Sequence, residues 1–181
     1  DLPTTELEQR WAQPPSTFIE VQGQRVHLRD EGPRDDPTPL VLVHGTSASL
    51  HTWDGWTEEL RTTRRVIRFD LPGFGLTGPN AADDYSMAVY VRLVLALLDQ
   101  LGVQRFVIGG NSLGGEVAWA TAHAAPQRVE KLILVDAAGY AFEPESMPLA
   151  CRVARTPGLR ALMGHLLPPG MVEKSVRNVY G

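Results

Sequence analysis

The sequence has 181 residues, 43% of them hydrophobic and 21% charged, the balance of a globular domain with room for one core. A formal net charge of −4 without any Lys/Arg cluster gives no electrostatic case for nucleic acid or an acidic membrane surface as partner. The single cysteine, Cys151, excludes an internal disulfide, and no apolar run approaches the roughly eighteen residues of a membrane span. The first residue is Asp1 rather than Met, so a targeting or anchoring segment upstream stays open. A cytoplasmic location is the default expectation, with an extracytoplasmic or membrane-anchored one open if such a segment was removed.

Taken in order, residues 3–12 predict a short helix: Pro3 suits a first turn, Glu6 and Glu8 favour the N-terminal half, and Leu7 and Trp11 share a face. Thr17 to Val21 and Arg25 to Arg29 are strand-like runs around Gln22-Gly23-Gln24, a hairpin with glycine in its turn. After a Pro/Asp-rich loop, Leu40 to Val43 is continuously apolar, as in a parallel strand covered on both faces. A helix is expected from about Trp53 to Arg61, and a strand over Val66 to Phe69. Ser86 is placed to cap a helix ending at Leu101, with Met87, Tyr90, Val91, Val94, Leu95 and Leu98 on one face and Gly102 past its end. Phe106 to Ile108 is a buried strand broken at Gly109, Glu116 to Ala125 a helix stopped by Pro126, and Leu132 to Val135 a further buried strand ending at Asp136. Trp53, Trp56 and Phe74 are expected in the core, as is Met163 further along.

Alternating strands and helices at this spacing predict an α/β fold with a mostly parallel sheet flanked by helices. In such sheets ligands sit beyond the carboxyl ends of the strands. The unusual sequences after Val43, Phe69, Gly109 and Val135 all fall at that edge. One of them, Gly110-Asn111-Ser112-Leu113-Gly114, places a serine between strand and helix in a G-x-S-x-G pattern. Glycines flank the serine because a strand-to-helix turn this tight brings backbones together and strains the residue at its apex. Such a turn lifts the Ser112 hydroxyl above the sheet and leaves the Leu113 N–H at an open helix N-terminus.

Residues 17–139 thereby resemble the α/β-hydrolase superfamily. The resemblance rests on His44-Gly45-Thr46-Ser47 after the third strand, Asp70-Leu71-Pro72-Gly73-Phe74-Gly75 after the fourth and the Ser112 turn after the fifth. It implies a nucleophile at Ser112 and an oxyanion hole from the backbone of Thr46 and Leu113. It also implies a core over residues 1–138, C-terminally incomplete, and the start of a helical cap or lid over 139–181. Serine at this position argues against the haloalkane dehalogenase and epoxide hydrolase branches, which use Asp there. The implied activity is hydrolysis of small-molecule carboxylic ester-like substrates through an acyl-enzyme, without cofactor. The Gly110 to Gly115 variant also resembles carbon–carbon bond hydrolases acting on ring-cleavage products, whose glycine-rich oxyanion loop differs from His44 to Ser47.

A serine hydroxyl needs a positioned base. In the superfamily the acid follows a later strand and the histidine comes last, and none of the five histidines here matches that histidine. His27 lies in an early strand, His44 serves the His-Gly turn, His51 sits near the mouth and His165 falls in the cap. His123 lies about 16 Å along the helix from Ser112. Asp136 is a candidate triad acid, with a turn or cap-closing role as the alternative; Asp70 is expected to shape its loop. The missing members are expected beyond Gly181. A second reading follows, a catalytically silent fragment or binding module needing a complementary C-terminal chain or segment to cover an apolar sheet edge. No His/Cys/Asp cluster has metal-ligand spacing, and the glycine-rich turn is neither a dinucleotide nor a P-loop signature.

Overall fold

The structure is a computed structural model and describes residues 2–140. The chain divides into two units, Asp1–Tyr140 and Ala141–Gly181; the expected cap lies outside the described residues but for its first two positions.

Helix α1 (Thr4–Trp11) precedes a hairpin of β1 (Thr17–Val21) and β2 (Gln24–Glu31). Val21 pairs with Gln24, so Gln22 (φ 53°) and Gly23 (φ 79°) form a two-residue turn with both φ positive, the hand that suits twisted strands. Then come β3 (Leu40–Val43), a 3-10 turn (Leu50–Trp53), α2 (Asp54–Leu60), β4 (Val66–Phe69), α3 (Met87–Gln100), β5 (Phe106–Asn111), α4 (Leu113–Ala124) and β6 (Val129–Val135). The sheet order is β1-β2-β4-β3-β5-β6, antiparallel between β1, β2 and β4 and parallel from β4 to β6.

Alternation along the strands builds two apolar layers. Val41, Val43, Ile67, Phe69 and Ile108 pack with Val94, Leu97, Leu98 and Val117 of α3 and α4. Leu40, Leu42, Val66 and Val107 face the other way and pack with Trp53 and Leu60. Burial on both sides is why these strands read as continuous apolar runs. Arg68 is the exception on the second face: 3% exposed, it meets Glu31 at 2.8 Å, Asp54 and the Leu50 carbonyl. A buried guanidinium persists only because these acceptors compensate its desolvation.

Several boundaries differ from the sequence reading. Strand β5 does not break at Gly109 but runs to Asn111. Its glycines serve close approach within the strand: a Cβ on Gly109 would lie 3.2 Å from Leu42 Cδ2 and 3.3 Å from Ile133 Cβ. Helix α4 starts at Leu113 rather than Glu116, because Ser112 itself is the N-cap. Ser86 occupies the N-cap of α3, but its hydroxyl makes no capping bond; its carbonyl accepts from Val89 and Tyr90 instead. The buried face of α3 is rotated toward Leu93 and Leu97. Trp56, expected in the core, is 42% exposed, its ring set edge-on to buried Trp53.

Candidate active site

The strand order reverses between β3 and β5: the chain leaves β3 toward β4 and leaves β5 toward β6, on opposite sides. Diverging connections open a crevice at the carboxyl ends of these two strands. Ser112 stands there, directly after β5, at φ 52° and ψ −117°. An L-residue holds this backbone only where the surroundings over-determine it. They do so here. The Ser112 N–H donates to the Val135 carbonyl (3.1 Å), and the Ser112 carbonyl accepts from Glu116 (3.1 Å) and Ala138 (2.9 Å). The Asn111 amide also donates to the Val135 carbonyl at 3.2 Å. Replacing Ser112 by glycine, which tolerates positive φ, should relieve part of this strain and raise unfolding stability by about 1 kcal/mol, read by urea denaturation.

The turn closes because Gly110 and Gly114 lack side chains. A Cβ on Gly110 would sit 2.0 Å from the Gly114 carbonyl oxygen, and one on Gly114 would sit 2.2 Å from that of Val43. The second contact binds the start of α4 to the end of β3. It brings the loop after β3 against Ser112: a Cβ on Gly45 would lie 2.9 Å from Asn111 Oδ1 and 3.2 Å from Ser112 Cβ. Thr46 follows Gly45 in that loop, while Leu113 opens α4, where backbone N–H groups lack intrahelical partners. Ser112, Thr46 and Leu113 thus come from the crevice's two rims.

His44 holds that loop. It is fully buried; Leu71 N–H donates to its Nε2 at 3.0 Å, which leaves the ring proton on Nδ1 to donate to the Gly45 carbonyl at 2.8 Å. Both nitrogens are engaged, so His44 is no base for Ser112. Burial pushes its pKa below the ordinary 6.5, against the opposing effects of the Gly45 bond and the Asp70 charge. Between 6.5 and that lower value the unfolded chain binds the extra proton. Stability is therefore full above 6.5 and falls as pH drops through this window. The melting temperature should decline from pH 7.5 to 5.5, and His44→Asn should flatten that slope.

Asp70, at the end of β4, is the second anchor. Its carboxylate accepts from Leu50 N–H (2.7 Å), Leu76 N–H (2.8 Å) and His27 Nδ1 (2.8 Å). Burial raises its pKa, but these hydrogen bonds outweigh it and hold the carboxyl below the ordinary range. The chain of bonds continues outward: His27 Nε2 meets the Ser16 hydroxyl at 2.9 Å, and Ser16 Oγ accepts from Arg29 Nε at 2.9 Å. Asp70 also leaves no room beside it, since a Cβ on Gly75 (φ 50°) would lie 2.1 Å from Asp70 Oδ2.

Residues 38–163 match the sequence profile described as alpha/beta hydrolase fold. The chain belongs to this family. A 2-hydroxymuconate semialdehyde hydrolase of Pseudomonas putida is 36% identical over 143 residues, 78% of this chain and 50% of the relative. The chain is likewise similar to two solved structures. For a putative ancestral haloalkane dehalogenase the TM-score is 0.71 at 26% identity, covering 81% of this chain and 53% of the other. For a membrane phospholipase A the TM-score is 0.69 at 26% identity, covering 91% and 56%. The chain spans about half the length of the curated relatives it matches.

Within this α/β-hydrolase core no side chain among the described residues hydrogen-bonds the Ser112 hydroxyl. His27 and His44 are consumed by the bonds above, and His51 faces the Trp11 carbonyl (3.2 Å) and Asp54 (3.3 Å). His123 is exposed in the last turn of α4, and His165 lies outside the described residues. Asp136 follows β6 at φ 45° and makes no side-chain hydrogen bond among the described residues. Sequence reasoning missed the His27–Asp70–Ser16 chain. Pairing of β2 with β4 brings His27 to Asp70, 43 residues away, and pairing of β1 with β2 brings Ser16, just before β1, to His27. The one available signal was a histidine set between Val26 and Leu28 in a predicted strand.

Proposed function

We propose that the protein is a serine hydrolase that attacks an ester-like carbonyl with Ser112 and releases the acid through an acyl-enzyme. The observation that carries this reading is the strained turn of Ser112, at φ 52° and ψ −117°, with Gly45 of the facing loop against it. As the carbonyl becomes tetrahedral, negative charge gathers on its oxygen. The Thr46 and Leu113 N–H groups would receive it, each donor contributing about 2.7–4 kcal/mol to transition-state stabilisation in sites of this kind. The base that accepts the Ser112 proton and the acid that orients it come from outside the described residues, unless Asp136 serves as the acid.

A second reading keeps Ser112 and changes the bond broken. The relatives named 2-hydroxymuconate semialdehyde hydrolase favour carbon–carbon hydrolysis of a ring-cleavage product, as does the Gly110 to Gly115 sequence. The test is intact-mass analysis with a fluorophosphonate probe, followed by a substrate panel. Labelling of the native protein and none of Ser112→Ala is expected, and a panel of short acyl esters against vinylogous diketo acids then separates the two reactions. No labelling would favour the catalytically silent chain that needs a complementary C-terminal segment. The exposed Leu132 and Leu134 on edge strand β6 are consistent with such a segment.

A further inference from the structure

Helix α1 buries none of its residues, yet it roofs a cavity of about 390 Å³. That volume falls within the roughly 300–1,000 Å³ usual for small-molecule sites. Leu7 and Trp11 of α1 line it together with Leu76 of the loop after β4 and Ser49 and His51 from the segment after β3. The helix is held by polar ties rather than by packing. Arg25 meets Glu8 at 2.6 Å, and the Trp11 carbonyl meets His51 Nε2 at 3.2 Å, with the two rings 5.6 Å apart.

The cavity's chemistry is set by what its polar floor has already spent. Asp70 and His27 both line it, but the Asp70 carboxylate accepts three hydrogen bonds and both His27 nitrogens are engaged. The floor therefore offers no free donor to an anion, and its carboxylate repels one. Ser49, at the N-cap of the 3-10 turn, makes no side-chain capping bond, so its hydroxyl is available to a guest. Leu7, Trp11 and Leu76 would desolvate any charged guest; an anion would find no compensation, and a cation only the Asp70 carboxylate, which already accepts three hydrogen bonds.

We infer that this cavity is a binding site for an uncharged apolar molecule, a chain or ring with at most a hydroxyl or carbonyl at the Ser49 end. The site requires no chemistry at Ser112, so Ser112→Ala should bind the same ligand equally well. Titration of the full chain with the neutral fluorophore N-phenyl-1-naphthylamine should saturate, with displacement by decan-1-ol and about tenfold poorer displacement by decanoate. Leu7→Glu introduces a carboxylate from a helix that contributes nothing to the core, and should weaken binding about tenfold or more at an unchanged melting temperature. Leu76→Glu tests the loop after β4 in the same way. Trp56→Glu, at an exposed residue outside the cavity lining, should leave binding unaltered. The inference is overturned by non-saturable binding, by full affinity in both Leu7→Glu and Leu76→Glu, by equal displacement by decan-1-ol and decanoate, or by an equal loss in Trp56→Glu.

Discussion

Gly110→Ala should lose about 3 kcal/mol or more of unfolding stability, an unusually large effect for one added methyl group. The new Cβ would lie 2.0 Å from the Gly114 carbonyl oxygen, 2.2 Å from its carbon and 2.6 Å from the Gly115 nitrogen. All three are backbone atoms, so no side-chain rotation relieves the overlap. Gly110 pairs with Val43 on one side and Leu134 on the other, which prevents the strand from retreating. The chain must then either open the turn, moving Ser112 off its strained backbone, or unfold. Urea denaturation with far-UV circular dichroism reads the loss, and fluorophosphonate labelling should disappear with it. A contrasting substitution is Gly55→Ala on α2, where an added Cβ meets nothing within 4 Å and helix propensity favours alanine. A comparable loss there would show that the Gly110 effect is not steric.

Asp70→Ala is the second large effect, with an expected cost of about 3–5 kcal/mol. It strands three buried donors at once: Leu50 N–H, Leu76 N–H and His27 Nδ1–H. These come from the 3-10 turn, the loop after β4 and strand β2, so the carboxylate ties three segments to the end of β4. Asp70→Asn keeps one acceptor oxygen and should cost roughly half as much. The sign of the pH effect follows from the depressed pKa. The Asp70 contribution is complete above the ordinary carboxylate value and lost as pH falls through the lower folded value. Chemical denaturation of wild type and Asp70→Asn from pH 7 to 3 reads this as a shallower acid limb in the variant. Parallel curves would mean that the carboxylate charge does not stabilise the fold.

Much of the fold is legible in the sequence because its strands carry their burial in their composition. Leu40 to Val43 and Val66 to Phe69 are found where the apolar runs place them, and the hairpin closes at Gln22-Gly23. The strand-to-helix turn at Ser112 is equally legible, since its steric demand leaves little choice but glycine around it. Less legible are features whose partners lie far along the chain. Nothing near Gly109 announces that Leu42 and Ile133 will flank it, so its glycine reads as a break. Nothing in the strand of Val66 to Phe69 announces that Glu31 and Asp54 will meet Arg68.

For the site, the division follows the same physics. By itself the sequence determined that Ser112 stands in a strained strand-to-helix turn with the loop of Gly45 against it, because local sterics at Gly110, Gly114 and Gly45 are encoded in residue type and spacing. The sequence placed His44 and Asp70 as loop-holding residues, but only the tertiary structure decided which groups they bond and what His27 does. A titratable side chain acquires its role from the donors and acceptors that pairing of distant strands brings to it. Strand pairing made His44 and Asp70 into struts of the crevice, His44 through Leu71, 27 residues away, and Asp70 through His27, 43 residues away. It also left the Ser112 hydroxyl without a base among the described residues, as the sequence led one to expect, since none of the five histidines matches the superfamily's last triad member.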